Sequence, residues 1–128
     1  MKDLKTYSNE IKEVERLITI FHAKVAGTFS KKYQIDLIGF HGHTIFHNPN
    51  KKITKQIGNA KLLSQLTKKN IIFDFRSNDI KNGGQGAPLA PLFHLALSKK
   101  NKITAPWIIL NIGGISNITF CGKNSKDY

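Results

Sequence analysis

Cysteine is nearly absent. Cys121 stands alone, so no internal disulfide can form, and a reducing compartment is expected. Arginine is almost as scarce: of 20 basic residues only Arg16 and Arg76 are arginine, against eight acidic residues. The formal charge of +12 therefore rests on lysines, scattered singly and in pairs such as Lys31-Lys32, Lys51-Lys52, Lys68-Lys69 and Lys99-Lys100. Base readout and bidentate phosphate grip favour arginine. The charge thus speaks to non-specific attraction rather than to a specific nucleic-acid site. No run of 18 apolar residues occurs, which argues against a membrane-spanning helix. The opening stretch MKDLKTYSNEIKEVE is charged and has no apolar h-region, so a signal peptide is not expected. Cytoplasm is the expected location.

What is present is enough for one globular domain: 128 residues, 40% of them hydrophobic. Ser8 is placed to cap a helix running to about Thr28, with Ile11, Val14, Ile18, Phe21, Val25 and Phe29 at helical spacing as its buried face and Leu17 widening the stripe. Ile35–Phe40 reads as a buried strand, followed by a turn at Pro49-Asn50-Lys51-Lys52. Asn59 suits the N-cap of a second helix with Leu62, Leu63 and Leu66 inward, and Asn70 suits its left-handed end. Ile71–Phe75 is a second strand, and Pro91 suits the first turn of a helix ending near Lys99. Trp107–Ile112 and Ile115–Phe120 flank Gly113-Gly114 as a hairpin with a two-residue loop. The order implies an α/β fold with a mainly parallel sheet, flanking helices and a C-terminal β-hairpin. Ligands of such sheets sit beyond the C-terminal strand ends, where the clusters His41–His47 and Asp74–Gln85 begin.

Four constellations carry candidate chemistry. His41 and His43 would share a face on a strand, which admits a metal or, with fewer assumptions, hydrogen bonds to sugar hydroxyls or backbone. No carboxylate or cysteine accompanies them, and no metal site is assigned. Asp74-Phe75-Arg76 ends a strand in an acid and a base, either as a cap or ion pair fixing the loop or as a substrate contact. Gly83-Gly84-Gln85-Gly86-Ala87-Pro88 permits positive φ and close backbone approach to a ligand, or is a plain flexible loop. It is no Walker loop, since no Gly-Lys-Ser/Thr follows. Asn111-Ile112-Gly113-Gly114-Ile115-Ser116-Asn117 is a hairpin whose N–H groups suit phosphate, or an ordinary turn.

Together the blocks IDLIGFHGHT with His47-Asn48-Pro49, QIGN at Gln56–Asn59, DFRSNDIKNGGQGAPLAPLFH and LNIGGISNIT resemble anhydro-N-acetylmuramic acid kinases, over nearly the whole chain to about Phe120. The resemblance implies part of an actin-like, two-lobed sugar-kinase fold, with residues 1–104 in the first lobe and 105–128 as the first hairpin of the second. It implies ATP and magnesium as cofactors. The reaction implied is phosphorylation of O6 of 1,6-anhydro-N-acetylmuramic acid, with water opening the anhydro bridge to give N-acetylmuramic acid 6-phosphate in peptidoglycan recycling. His41, Thr44, Arg76, Gln85, Gly86, Ala87 and Pro88 fall on the sugar side. Asn111, Gly113, Gly114 and Asn117 resemble the nucleotide-phosphate hairpin. His43 stands where the family is expected to have Gln.

Two family motifs have no counterpart here: the Ser-Gly-Thr-Ser…Asp-Gly phosphate hairpin before the first helix, and the Asp-x-Gly-Pro-Gly-Asn motif with the water-activating aspartate. Asp127 lies in no such motif, and no catalytic residue is assigned. The expectation is a truncated or split-gene kinase fragment, inactive alone and completed by complementary fragments. Alternatives are a sugar-binding remnant without catalysis and a non-specific basic binding protein. Unpaired apolar strand edges lead to an expectation of poor solubility or homo-oligomers.

Overall fold

The computed structural model describes residues 8–113 and 116–123. They form a mixed α/β arrangement in two compact units, Met1–Gly86 and Ala87–Tyr128. No helix among the described residues is long and apolar enough to cross a membrane.

In the first unit, helix α1 spans Ser8–Ser30. Of the expected apolar stripe only Ile11 and Ile18 are half-buried. Leu17 and Phe21 are 60% and 65% exposed, and Val14, Val25 and Phe29 are exposed as well. Thr19 is fully buried instead, and Ala23 packs against the core cluster of Phe40, Ala60 and Leu63. Thr19 and Ala23 lie one turn apart, and their small side chains let α1 approach helix α2 (Ala60–Thr67) closely.

Strand β1 (Leu37–Phe40) pairs in parallel with β4 (Asn70–Phe73). Between them lie the antiparallel strands β2 (His43–Asn48) and β3 (Ile53–Ile57), then α2. The mainly parallel sheet expected from the element order is therefore reduced to one parallel pair, which is one of three separate two-stranded sheets among the described residues. Connection length explains this. The β2–β3 link is a single turn of 3-10 helix at Pro49–Lys51, too short for a parallel crossover, whereas β1 reaches β4 through a hairpin and a helix.

Asn59 caps α2 as expected, its side chain accepting from the Leu62 N–H. The helix ends on Lys68 in the left-handed region (φ 56°), not on Asn70, which already pairs with Leu37 in β4. A short helix α3, Ser77–Lys81, occupies what reads in the sequence as loop.

In the second unit, α4 (Ala90–Lys100) carries Pro91 in its first turn, as expected. Strands β5 (Trp107–Asn111) and β6 (Asn117–Cys121) form the C-terminal hairpin. Asn111 pairs with Asn117, so the connection is residues 112–116 rather than Gly113-Gly114 alone. A two-residue loop would set Ile109 opposite Ile118. The observed register sets it opposite Thr119, placing Thr119 and Cys121 on the buried face, where Thr119 Oγ1 meets His94 Nδ1 of α4 at 2.9 Å.

Candidate functional site

The parallel pairing of β1 and β4 decides where the polar residues emerge. Phe40 and Phe73 are the last paired residues, so His41 and Asp74 leave the two strands side by side at their C-terminal ends. A cleft of about 300 Å³ opens there. Phe40, His41 and Gly42 line it, with Thr54–Ile57 of β3 and the following Gly58, with Phe73, Asp74 and Ser77, and with Glu15 of α1.

Two glycines let the β2–β3 hairpin close on the end of β1. Gly42 has φ +71°, and a Cβ there would stand 2.5 Å from the Ile57 carbonyl oxygen. Gly58 has φ +142°, and a Cβ there would stand 2.6 Å from the Phe40 ring. Alanine at either position is strained in backbone and in packing.

The hairpin presents a polar row. Thr44 is opposite Gln56, and His47 is opposite Thr54. Gln56 Nε2 donates to Thr54 Oγ1 at 2.8 Å and to Thr44 Oγ1 at 3.3 Å, and His47 Nδ1 is 3.1 Å from Thr54 Oγ1. Thr44 itself does not line the cleft; it holds Gln56, which does. His43 is exposed, and Gly42 in the left-handed region separates it from His41, so the two rings do not share one strand face. Among the described residues no group of three or more His, Cys, Asp or Glu side chains is placed to hold a metal.

Asp74 acts as a turn cap. It adopts φ 57°, and its Oδ1 accepts the Ser77 N–H at 3.3 Å. Arg76 pairs with His41, whose Nε2 lies 2.8 Å from Nη2 and 3.2 Å from Nε of the guanidinium. The glycine loop is pinned. Asp79 accepts the Gly86 N–H on its carboxylate at 2.7 Å and the Gly84 N–H on its backbone carbonyl at 2.8 Å. A Cβ at Gly84 would overlap the Asp79 carboxylate, and one at Gly86 (φ +66°) would press on Ile80 at 2.9 Å. Gln85, between them, is exposed.

His41 and Arg76 are thus in direct contact, and Gly86 packs beside the Arg76 Cβ. Ala87 and Pro88 open the second unit, Ala87 half-buried and Pro88 exposed. Asn111, Gly113 and Asn117 are exposed around the β5–β6 turn, while Gly114 lies outside the described residues. Sequence reasoning missed Glu15, Thr54, Gln56 and Ser77 as cleft residues. The alternation Thr54–Gln56 after the Pro49 turn is the signal that could have revealed the hairpin face. Glu15 carried no such signal, since only the helix packing brings it to Gly58, whose N–H it accepts at 3.1 Å.

The arrangement combines hydroxyls, a carboxamide and two carboxylates, with the His41–Arg76 pair at its margin and the Phe40 and Phe73 rings beside them. Such a set suits a polyhydroxylated ring. Both cleft carboxylates already accept backbone N–H groups, so neither is assigned as a base.

Comparison with known proteins points to one family. The family model for anhydro-N-acetylmuramic acid kinase matches residues 5–127. An anhydro-N-acetylmuramic acid kinase of Pelagibacter ubique is 55% identical over 130 residues, covering 99% of this chain and 35% of the relative. Its counterpart in Agrobacterium fabrum is 38% identical over 133 residues (98% and 36%), and one from Rhodopseudomonas palustris is 41% identical over 113 residues (84% and 31%). The chain spans about a third of the length of the curated relatives it matches. A family match across residues 5–127, together with 55% identity to a relative over 99% of the chain, establishes that this chain belongs to the anhydro-N-acetylmuramic acid kinase family.

Proposed function

We propose that this chain carries the sugar-binding part of an ATP-dependent kinase acting on 1,6-anhydro-N-acetylmuramic acid, with ring opening to N-acetylmuramic acid 6-phosphate. The observation that carries the proposal is the cleft at the ends of β1 and β4, with Gln56 and Asp74 in its wall and the His41–Arg76 pair at its edge. Carboxamide, hydroxyl and guanidinium groups orient ring hydroxyls, and the exposed Phe73 ring sheds water from the sugar's apolar face. Residues 1–104 and 105–128 would then belong to the two lobes of an actin-like kinase.

Family membership implies ATP, which supplies the transferred phosphoryl group. The residues around the β5–β6 turn fit a phosphate. Asn111 and Asn117 are exposed carboxamides on the last ladder pair, Gly113 is exposed beside them, and residues 111–117 include no carboxylate. Glycine N–H and carboxamide N–H groups together make a donor set for anionic oxygens. Magnesium would arrive with the nucleotide, and no residue of this chain is assigned to it. The 128 residues hold no Asp-x-Gly-Pro-Gly-Asn motif, so catalysis requires complementary segments of the same kinase. Without the activating base the loss is at least ~10²-fold.

Calorimetry of the chain with the anhydro sugar tests the binding claim. Heat with saturation at millimolar sugar or below is expected, and its absence would leave a chain of kinase descent without the sugar site.

A further inference from the structure

We propose that His41 is a positioning residue for Arg76, held as its Nδ1–H tautomer so that the Nε2 lone pair fixes the guanidinium at the margin of the cleft that His41 lines. The geometry leaves one consistent protonation pattern. A guanidinium only donates, so Nε2, which faces Nη2 at 2.8 Å and Nε at 3.2 Å, must accept and carries no proton. The neutral ring then keeps its proton on Nδ1. That atom lies 3.1 Å from the Gly42 carbonyl oxygen, a group that only accepts. Both contacts are satisfied by the same tautomer, and Gly42 reaches the conformation that presents its carbonyl through φ +71°, where L side chains are rarely found.

Two consequences follow for the sugar site. Neither nitrogen of His41 is left for a ligand, so the histidine acts through Arg76 rather than on the sugar. Arg76, fastened along its Nε–Nη2 edge, keeps its remaining N–H groups for hydroxyl or carboxylate oxygens. A Cβ at Gly86 would stand 3.3 Å from the Arg76 Cβ, so the glycine lets the loop pass close to the base of that side chain. This role rests on the sugar-binding reading, whereas the tautomer does not.

Nuclear magnetic resonance of the full chain labelled with ¹⁵N-histidine reads the tautomer, His41→Gln assigning the signal by its loss. The expected pattern is a protonated Nδ1 with a bare Nε2, reverting toward Nε2–H in Arg76→Ala. A protonated Nε2 in the wild-type chain would overturn the proposal. Calorimetry with 1,6-anhydro-N-acetylmuramic acid reads the role. His41→Phe and Arg76→Lys are each expected to weaken binding about tenfold, with the double variant no weaker than the poorer single one. His41→Gln, whose carboxamide oxygen can accept from Arg76, is expected to recover most of the affinity. Losses that multiply to about a hundredfold in the double variant would mean that His41 touches the sugar independently, and the positioning role would fall. If the wild-type chain gives no heat, the sugar-binding reading fails and takes the positioning role with it, while the resonance pattern still decides the pairing.

Discussion

Thr19 and Asn59, 40 residues apart, are joined by a hydrogen bond: the Asn59 N–H donates to Thr19 Oγ1 at 2.9 Å. Thr19 Oγ1 in turn donates to the Glu15 carbonyl at 2.7 Å, and Glu15 Oε1 accepts the neighbouring Gly58 N–H at 3.1 Å. The Asn59 side chain meanwhile caps α2 through the Leu62 N–H at 2.9 Å. One face of α1 thereby satisfies the backbone donors of the turn that begins α2, and that turn forms part of the cleft wall.

Removing the hydroxyl leaves that turn without its acceptor in a fully buried place. Thr19→Val is expected to cost ~1–3 kcal/mol of stability, read as a lower urea midpoint at unchanged slope. Thr19→Ser retains both hydrogen bonds and should stay closer to wild type. A larger loss in Thr19→Ser than in Thr19→Val would show that the methyl packing, not the hydroxyl, matters.

The Asp79 carboxylate holds the Gly86 N–H at 2.7 Å. Asp79→Ala removes the acceptor of the Gly86 N–H but keeps the backbone carbonyl that holds Gly84, so faster amide exchange at Gly86 and weaker sugar binding are expected, with little change in melting temperature. Gly86→Ala combines a positive φ with a clash against Ile80 and is expected to lower stability by at least ~1 kcal/mol. Unaltered exchange at Gly86 in Asp79→Ala would show that the loop is held by other contacts.

The exposed stripe of Leu17, Phe21 and Phe29 on α1 and the exposed Ile72 and Phe73 of β4 leave apolar surface facing water. Self-association of the chain is the expected result. Sedimentation at rising concentration should show it, and Leu17→Lys with Phe21→Lys should reduce it. A wild-type chain that stays monomeric across the series refutes this expectation.

Incubation of the chain alone with ATP, magnesium and the anhydro sugar should give no turnover above background. Adding segments that carry the phosphate hairpin and the Asp-x-Gly-Pro-Gly-Asn motif should restore it. Turnover by the chain alone would place the water-activating group within these 128 residues.

Local chemistry was legible in the residues alone. Asn59 announced the start of α2, Pro91 the first turn of α4, and the blocks from Ile35 to Thr119 the kinase family, because caps, proline φ and close backbone approaches are set within a few residues. What tertiary structure decided was which side of each element is used. The apolar periodicity of α1 centred the buried face too far round, leaving only Ile11 and Ile18 of its stripe half-buried, since burial follows the neighbour that small Thr19 and Ala23 admit. The β5–β6 register likewise sets Thr119 against His94, a contact the glycine pair did not announce. The partner of Arg76 lies 35 positions away at His41, and only the parallel pairing of β1 with β4 brings the two together. Contacts between residues far apart in the chain depend on strand order and packing, which short spacings in a sequence do not encode.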